Sequence, residues 1–203
     1  MKIICIGRNY SDHIKELSNE RPKEPVVFIK PDSSIIAKNQ NFIIPAFSDE
    51  IHHEVELVVK INKVGKYIDK SFSNTYYNQI GLGIDFTARD IQNKLKEKGH
   101  PWEKSKAFDN SCMVGDFINI EEIEDTSNIN FELKKNSSIV QSGNSSNMLW
   151  KIDEIISYVS QYFTLKIGDL IFTGTPSGVS KVISGDFLEG FINSKKMFSL
   201  KIK

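Results

Sequence analysis

Short apolar, β-branched runs separated by polar turns dominate the pattern along the chain. Alternation with period two is clearest over residues 51–59, where His53, Val55 and Leu57 share one face and Glu54 and Glu56 share the other. The same reasoning predicts further strands over residues 3–6, 26–30, 35–36, 42–44, 79–86, 113–120, 129–133, 139–140, 170–172, 187–188 and 197–202.

Helical patterns are fewer. A short helix is predicted after residue 8, with Asn9 or Ser11 as its N-cap. A second is predicted over residues 87–98, where Thr87 and Asp90 have the spacing of a capping box. Apolar residues recur at helical spacing over residues 152–163, which predicts an amphipathic helix. Many short strands with two or three helices predict one α+β domain, mostly β, over residues 1–203.

Composition narrows the class of protein. The 203 residues carry 26 basic and 26 acidic side chains, a balance that does not suggest nucleic acid or an anionic membrane as partner. No apolar run approaches the ~18–20 residues of a membrane span, and the N-terminus has no signal-peptide pattern. Cys5 and Cys112 form neither a CxxC motif nor a disulfide framework. We therefore expect a cytoplasmic protein that binds neither nucleic acid nor membrane.

Two carboxylates on one face of an otherwise apolar strand are the first candidate site. Glu54 and Glu56 repel each other, and burying either costs several kcal/mol unless it is paired. A divalent cation such as Mg²⁺ removes both problems, because it takes carboxylate oxygens as ligands. The alternative is a solvent-exposed strand face, which the apolar flanking residues make less favourable.

Two further positions are candidates with simple alternatives. His13 and Glu16 share one face of the first predicted helix, so the carboxylate can orient the imidazole as a general base. The alternative is a surface pair worth a few tenths of a kcal/mol. Asp85 lies where a strand passes into a helix, which suits a ligand but also a turn or cap residue.

Six motifs in order give the chain a resemblance to a known family over nearly its whole length. They are Arg8-Asn9-Tyr10-Ser11-Asp12-His13, Phe28-Ile29-Lys30-Pro31, His52-His53-Glu54-Val55-Glu56-Leu57, Asp85-Phe86-Thr87-Ala88-Arg89-Asp90, Lys104-Ser105-Lys106-Ala107-Phe108 and Thr173-Gly174-Thr175-Pro176-Ser177-Gly178-Val179. Together they resemble the fumarylacetoacetate hydrolase family, in its short, single-domain acylpyruvase and oxaloacetate decarboxylase branch.

The resemblance implies a mixed β-sandwich roll and a homodimer. By position in the motifs, it implies that Glu54, Glu56 and Asp85 bind Mg²⁺ or Mn²⁺. It implies a catalytic dyad, His13 and Glu16, on a mobile lid over residues 9–25, and a catalytic lysine, Lys106. It also implies that Arg89, Gln92 and Thr175 bind the substrate. Two departures stand out: Ser180-Lys181 replaces the family's usual Gly-Pro, and Ser145 replaces a common Thr.

The implied chemistry is cleavage of the C3–C4 bond of a 2-oxo acid. Three carboxylates leave about half of an octahedral Mg²⁺ shell open. A metal ion at the keto oxygen stabilises the enolate left by cleavage, and Lys106 adds positive charge. Hydrolysis of an acylpyruvate requires a water activated by His13, whereas decarboxylation of oxaloacetate requires none. The alternatives are an isomerase or tautomerase of hydroxy-dienedioates and a non-catalytic metal-binding module. The module would not require His13, Glu16 and Lys106 together.

Overall fold

The computed structural model describes residues 1–17 and 20–203. Within that part the chain forms thirteen strands and four α-helices. The strands are β1 (Ile3–Gly7), β2 (Val26–Lys30), β3 (Ile51–His53), β4 (Val55–Ile61), β5 (Tyr77–Asp85), β6 (Thr87–Ala88), β7 (Cys112–Asn119), β8 (Asn130–Lys135), β9 (Ser138–Asn144), β10 (Leu170–Phe172), β11 (Ser180–Lys181), β12 (Phe187–Ile192) and β13 (Lys195–Lys201). The helices are α1 (Ser11–Glu16), α2 (Arg89–Glu97), α3 (Glu103–Lys106) and α4 (Ile152–Tyr162).

Three sheets organise these strands. A six-stranded sheet has the order β2-β1-β10-β4-β5-β7, a four-stranded sheet has β13-β12-β8-β9, and a small one has β11-β3-β6. Pairing is antiparallel except between β1 and β10, which run parallel. The predicted mostly-β, mixed-sheet architecture is confirmed.

The predicted alternation of β4 is also confirmed by the core. Leu57 and Val59 point into the main core, which extends to the four-stranded sheet and α4. Val58 points to the opposite face, into a smaller cluster with Cys5 and Phe172. Glu56 follows the period of Val58, so the strand places this carboxylate at the end of the smaller cluster.

Gly83 in β5 marks a close backbone approach. A Cβ at Gly83 would lie 2.5 Å from the carbonyl oxygen of Met113 and 2.8 Å from the ring of Phe172. Only glycine therefore lets β5 pack this tightly beside Glu56, its register partner on β4.

Two predicted strands are wrong. Residues 35–36 and 42–44 form single bridges, Ile35 to Cys112 and Phe42 to Ile202. Apolar side chains of these segments pack into the core instead: the buried ring of Phe42 stacks on Phe86, with 3.9 Å between ring centroids. Apolar side chains in irregular segments bury as much area as those in strands, so pattern alone does not distinguish them.

Both predicted helix caps are wrong as well. The N-cap of α1 is Tyr10, and the side chain of Asn9 instead donates to the carbonyl oxygen of Thr173 at 2.7 Å. The N-cap of α2 is Ala88, because Thr87 belongs to β6 and pairs with His52. Long-range hydrogen bonds thus replace the local caps that the sequence favoured.

No helix among the described residues is long and apolar enough to cross a membrane. The predicted lid, residues 9–25, includes Ser18 and Asn19, which lie outside the described residues. Its mobility stays a prediction.

Candidate metal and active site

Three buried carboxylates meet at one end of the six-stranded sheet. Glu54 lies at a break between β3 and β4, which the sequence predicted as one strand, while Glu56 lies on β4 and Asp85 ends β5. One oxygen of each carboxylate lies within 4.8 Å of the others, and no side chain of the three is more than 6% exposed. The backbone N–H of Asp85 donates to the carbonyl oxygen of Glu54 at 2.9 Å, which holds the two strands in register.

The two glutamates have opposite electrostatic environments. Burial alone would raise the pKa of Glu54, but the Lys106 ammonium and the Arg89 guanidinium outweigh it and hold this pKa well below its ordinary value. Burial raises the pKa of Glu56 well above its ordinary value, and repulsion from Asp85 and Glu54 adds to the rise. A divalent cation relieves this repulsion, so the donor set fits the predicted metal.

Gly174 supplies the main hydrogen bond to Glu56. Its backbone N–H donates to a Glu56 carboxylate oxygen at 2.7 Å. Its φ of 102° lies in the left-handed region, and a Cβ would come within 2.7 Å of the Cβ of Asn9. Glycine at this position lets the loop after β10 approach the carboxylate.

Lys106 is buried and joins two of the carboxylates. Its ammonium donates to Glu54 at 2.8 Å, to Asp85 at 2.6 Å and to the hydroxyl of Thr87 at 2.6 Å. Burial lowers the pKa of Lys106, but Asp85 and Glu54 outweigh that effect and raise it. Lys106 is the last residue of α3, a short helix that the sequence pattern did not predict. Thr87, predicted as a helix cap, thus has a role in the site.

Lys30 is a buried cation whose role the sequence reasoning missed, although it lies in one of the quoted motifs. Its ammonium lies 2.8 Å from a carboxylate oxygen of Asp85 and donates to the carbonyl oxygen and hydroxyl of Ser111 at 3.0 and 2.9 Å. It also donates to the carbonyl oxygen of Lys106. Lys30 therefore supports both Asp85 and the end of α3. The sequence does contain a signal for this role: Lys30 ends an apolar strand and is followed directly by Pro31.

The predicted dyad forms on α1. Nδ1 of His13 lies 3.1 Å from a carboxylate oxygen of Glu16, and the other oxygen of Glu16 accepts from the backbone N–H of Gly178 at 2.9 Å. His13 is buried, and it lines the same cavity as the three carboxylates. The Gly178 contact anchors the helix to the loop that follows β10.

The predicted substrate-binding residues line this cavity too. Arg89 pairs with Glu54 and donates to the side-chain oxygen of Gln92 at 2.6 Å. The hydroxyl of Thr175 accepts from the side-chain amide of Gln141 at 2.8 Å. The cavity encloses about 30 Å³, which is room for one or two waters.

The departure at residue 180 has a structural use. The hydroxyl of Ser180 lies 2.8 Å from Nε2 of His53, and Nδ1 of His53 lies 2.9 Å from the side-chain oxygen of Gln141. Ser180 thus ties the loop after β10 to β3, beside the carboxylates. The other departure, Ser145, is buried and accepts from the backbone N–H of Ile129 at 2.8 Å, a bond that a threonine hydroxyl also makes.

Comparison with known proteins adds four findings. The family model described as fumarylacetoacetate (FAA) hydrolase C-terminal matches residues 2–200. A mitochondrial oxaloacetate tautomerase of Bos taurus is 39% identical over 201 residues, covering 99% of this chain and 90% of the relative. A mitochondrial oxaloacetate decarboxylase of Dictyostelium discoideum is 42% identical over 189 residues, covering 93% and 87%. The crystal structure of fumarylpyruvate hydrolase from Pseudomonas aeruginosa, in complex with Mn²⁺ and pyruvate, has a TM-score of 0.93 at 30% identity and covers 100% of this chain and 89% of that one.

Proposed function

Because the chain belongs to the fumarylacetoacetate hydrolase family, we propose that it is a divalent-metal-dependent enzyme that acts at C3 of 2-oxo acids, with keto–enol interconversion of oxaloacetate as its main reaction. The observation that carries the proposal is the cavity in which His13 and the three buried carboxylates lie together. The names of the relatives and the Mn²⁺ and pyruvate in the P. aeruginosa structure support the choice of metal and substrate.

The dyad supplies the base. The hydrogen bond to Glu16 keeps the proton of His13 on Nδ1, which leaves Nε2 as the basic atom. In the tautomerisation, Nε2 takes a proton from C3, the C3–H electron pair becomes the C2=C3 double bond, and the charge moves to the C2 oxygen. The protonated His13 returns that proton to the C2 oxygen, directly or through water, which forms the enol hydroxyl and restores the neutral base.

The cations of the site stabilise this charge. A divalent ion held by Glu54, Glu56 and Asp85 would act there as a Lewis acid. Lys106, which donates to two of these carboxylates, supplies a further positive charge within the same cavity. Arg89 donates to the side-chain oxygen of Gln92, which leaves the amide N–H groups of Gln92 as donors that can orient the substrate carboxylate.

Cleavage of the C3–C4 bond is the second candidate in the same site. In decarboxylation, CO₂ leaves and the bonding pair becomes the same C2=C3 double bond. In acylpyruvate hydrolysis, His13 instead takes a proton from a water that attacks C4. The oxaloacetate decarboxylase among the relatives supports decarboxylation, and the similar fumarylpyruvate hydrolase structure supports hydrolysis.

One assay separates these reactions. Purified protein with Mg²⁺, Mn²⁺ or EDTA is given oxaloacetate, acetylpyruvate, fumarylpyruvate and a hydroxy-dienedioate, and loss of enol, formation of pyruvate and isomerisation are followed separately. We expect metal-dependent enol conversion of oxaloacetate to be fastest. Glu56→Gln should abolish it, while the exposed Glu121→Gln should not change it. No turnover with either metal, or turnover indifferent to EDTA and to Glu56→Gln, would contradict the proposal.

The homodimer and the cytoplasmic location stay predictions. Sedimentation of the purified protein would test the dimer: a species of twice 23.1 kDa is expected, and a monomer at working concentration would contradict it.

A further inference from the structure

Gln141 links the strands of the carboxylate centre to the loop that carries Thr175. Its side chain comes from β9 of the four-stranded sheet and is only 1% exposed. The amide oxygen accepts from the backbone N–H of Val55 at 3.0 Å and lies 2.9 Å from Nδ1 of His53. The amide nitrogen donates to the hydroxyl of Thr175 at 2.8 Å and to the carbonyl oxygen of Pro176 at 3.0 Å. One side chain therefore holds the ends of β3 and β4 and the loop after β10 together.

Backbone groups fix the orientation of the Gln141 amide. The N–H of Val55 can only donate and the carbonyl oxygen of Pro176 can only accept, so the amide oxygen faces Val55 and the amide nitrogen faces Pro176. The reversed amide would set donor against donor at Val55 and acceptor against acceptor at Pro176. Because both ends are buried, that arrangement would leave polar groups unpaired.

This orientation gives a chain of hydrogen bonds one direction. Because the Gln141 oxygen accepts, Nδ1 of His53 carries the proton, and in the neutral ring Nε2 is the acceptor. The hydroxyl of Ser180 lies 2.8 Å from Nε2 and donates to it. The ammonium of Lys135 in turn donates to the Ser180 oxygen at 3.3 Å. Every bond from Lys135 to Gln141 points the same way, and hydrogen bonds aligned in one direction strengthen one another.

The last bond of this chain decides what the Thr175 hydroxyl can do. A hydroxyl has one proton to donate, and here its oxygen already accepts from Gln141. Among residues 1–17 and 20–203, the proton reaches only the carbonyl oxygen of Pro176, and 3.5 Å is longer than the about 2.5–3.0 Å of an ordinary hydroxyl hydrogen bond. Thr175 is buried and lines the cavity of the three carboxylates. Its proton is therefore free to point into that cavity.

We propose that Gln141 is a positioning residue, which fixes the hydroxyl of Thr175 as a hydrogen-bond donor to a carboxylate oxygen of the 2-oxo acid. The proposal rests on the proposed function, which places this substrate in the cavity. Without the Gln141 amide, the hydroxyl can turn its lone pairs toward the cavity, where they repel an anionic oxygen. With the amide in place the donor is oriented before the substrate arrives, so binding does not have to reorient it.

The test is a double-mutant cycle between Gln141→Met and Thr175→Val. Met has a similar length to Gln without the amide, and Val has a shape similar to that of Thr without the hydroxyl. Calorimetry measures the affinity for oxalate, the probe, at saturating Mn²⁺. If Gln141→Met does not fold, Gln141→Glu takes its place: once ionised, that side chain keeps an acceptor at Val55 and has no proton to donate to Thr175.

The control is a buried hydrogen bond outside the cavity. The hydroxyl of Ser160 accepts from the backbone N–H of Ile68 at 2.8 Å, and neither residue lines the cavity. Ser160→Ala should therefore lower Tm without changing the affinity for oxalate, which separates loss of stability from loss of positioning.

The cycle has definite expected values. Thr175→Val should lower the affinity for oxalate roughly 10–100-fold, the loss of one hydrogen bond to a charged group. Gln141→Met should give a similar loss in the wild type but change the affinity less than about twofold in the Thr175→Val background, because it acts through the hydroxyl. Thr175→Ser keeps a hydroxyl and should keep the dependence on Gln141. The affinity for Mn²⁺ without oxalate should stay within about twofold in every variant.

The ring of His53 gives a second readout that needs no ligand. In NMR of isotope-labelled histidine at neutral pH, metal-free wild-type protein should carry the proton of His53 on Nδ1. Gln141→Met removes the acceptor at Nδ1, so it should raise the fraction protonated on Nε2. A proton on Nε2 in the wild type would reverse the chain and overturn the proposal.

Additive losses in the cycle would also overturn it, because Gln141 would then act by a route other than the Thr175 hydroxyl. A loss confined to Mn²⁺ affinity would place the effect at Val55, between Glu54 and Glu56, and would overturn it too, as would a wild type that binds no oxalate. Failure of the proposed function is distinguishable, since it appears as no turnover of any 2-oxo acid; oxalate binding that depends on Gln141 would still support the positioning role. Turnover together with oxalate affinity that is independent of Gln141 would overturn this inference alone.

Discussion

Replacing Lys30 by Met tests whether the buried cation network holds the site together. The ammonium of Lys30 is fully buried, lies 2.8 Å from Asp85, and donates to both polar oxygens of Ser111. Met has a similar length and no charge, so the substitution removes these contacts without opening a large cavity. Asp85 then loses one of its two cations and keeps Lys106.

The expected cost follows from these contacts. Removing one partner of a buried ion pair typically costs about 3–5 kcal/mol, because a buried charge is left uncompensated. Losing the hydrogen bonds from Lys30 to backbone carbonyl oxygens adds little to this cost, since the hydroxyl of Ser111 still donates to the carbonyl oxygen of Lys106 at 2.8 Å. For a chain of 203 residues, a loss of 3–5 kcal/mol lowers Tm by roughly 6–20 °C.

Urea and thermal unfolding, followed by the fluorescence of Trp102 and Trp150 in EDTA, measure this cost. The control is Lys196→Met, since the exposed ammonium of Lys196 lies 3.1 Å from Glu189 and such pairs are worth less than about 1 kcal/mol. In an Asp85→Asn background, Lys30→Met should cost less than in the wild type. Equal effects of Lys30→Met and Lys196→Met, or full additivity with Asp85→Asn, would refute the reasoning.

Four further predictions concern the lid, the base, the metal and the core histidine. His13→Ala should lower acylpyruvate hydrolysis roughly 10²–10⁴-fold and oxaloacetate decarboxylation less, measured as kcat/KM at saturating Mg²⁺; intact hydrolysis would assign the base elsewhere. Glu56→Gln should depress both reactions and weaken Mn²⁺ binding in calorimetry, and unchanged Mn²⁺ affinity would exclude Glu56 as a ligand. Hydrogen exchange over residues 9–17 should slow on adding oxalate with metal, whereas equal rates would contradict a closing lid. Burial lowers the pKa of His53 to about 4, so between pH 6.5 and that value only the unfolded state gains a proton. The free energy of unfolding should therefore fall by about 2 kcal/mol from pH 7 to pH 5. His53→Gln should remove this part of the pH dependence of the free energy of unfolding.

Several features of the site are local in sequence and were therefore predictable. Glu54 and Glu56 stand two apart in an alternating pattern, and a period of two places both carboxylates on the same side. His13 and Glu16 stand three apart, which is the spacing of neighbours on a helix. The resemblance of ordered motifs indicated that these pairs and Asp85 belong to one centre, and the structure brings them together.

Other local patterns led to wrong predictions because distant groups compete for the same atoms. Asn9 has the chemistry of a helix cap, but Thr173 and Trp150 take its side chain. Thr87 has the same chemistry, but its hydroxyl accepts from Lys106. A capping bond is worth about 1 kcal/mol, and a buried polar network that must be satisfied outweighs it.

The sequence by itself determined the strand periods, the mostly-β class and the residue types of the centre, because each depends on spacing along the chain. Only the tertiary structure decided how the charges are paired. Glu54 received Lys106 and Arg89, Glu56 received the N–H of Gly174, and Asp85 received Lys30. These partners lie 35 to 118 residues away along the chain, and electrostatic energy depends on distance and burial in space. Two glutamates of identical chemistry, two positions apart in the chain, therefore differ in the direction of their pKa shifts.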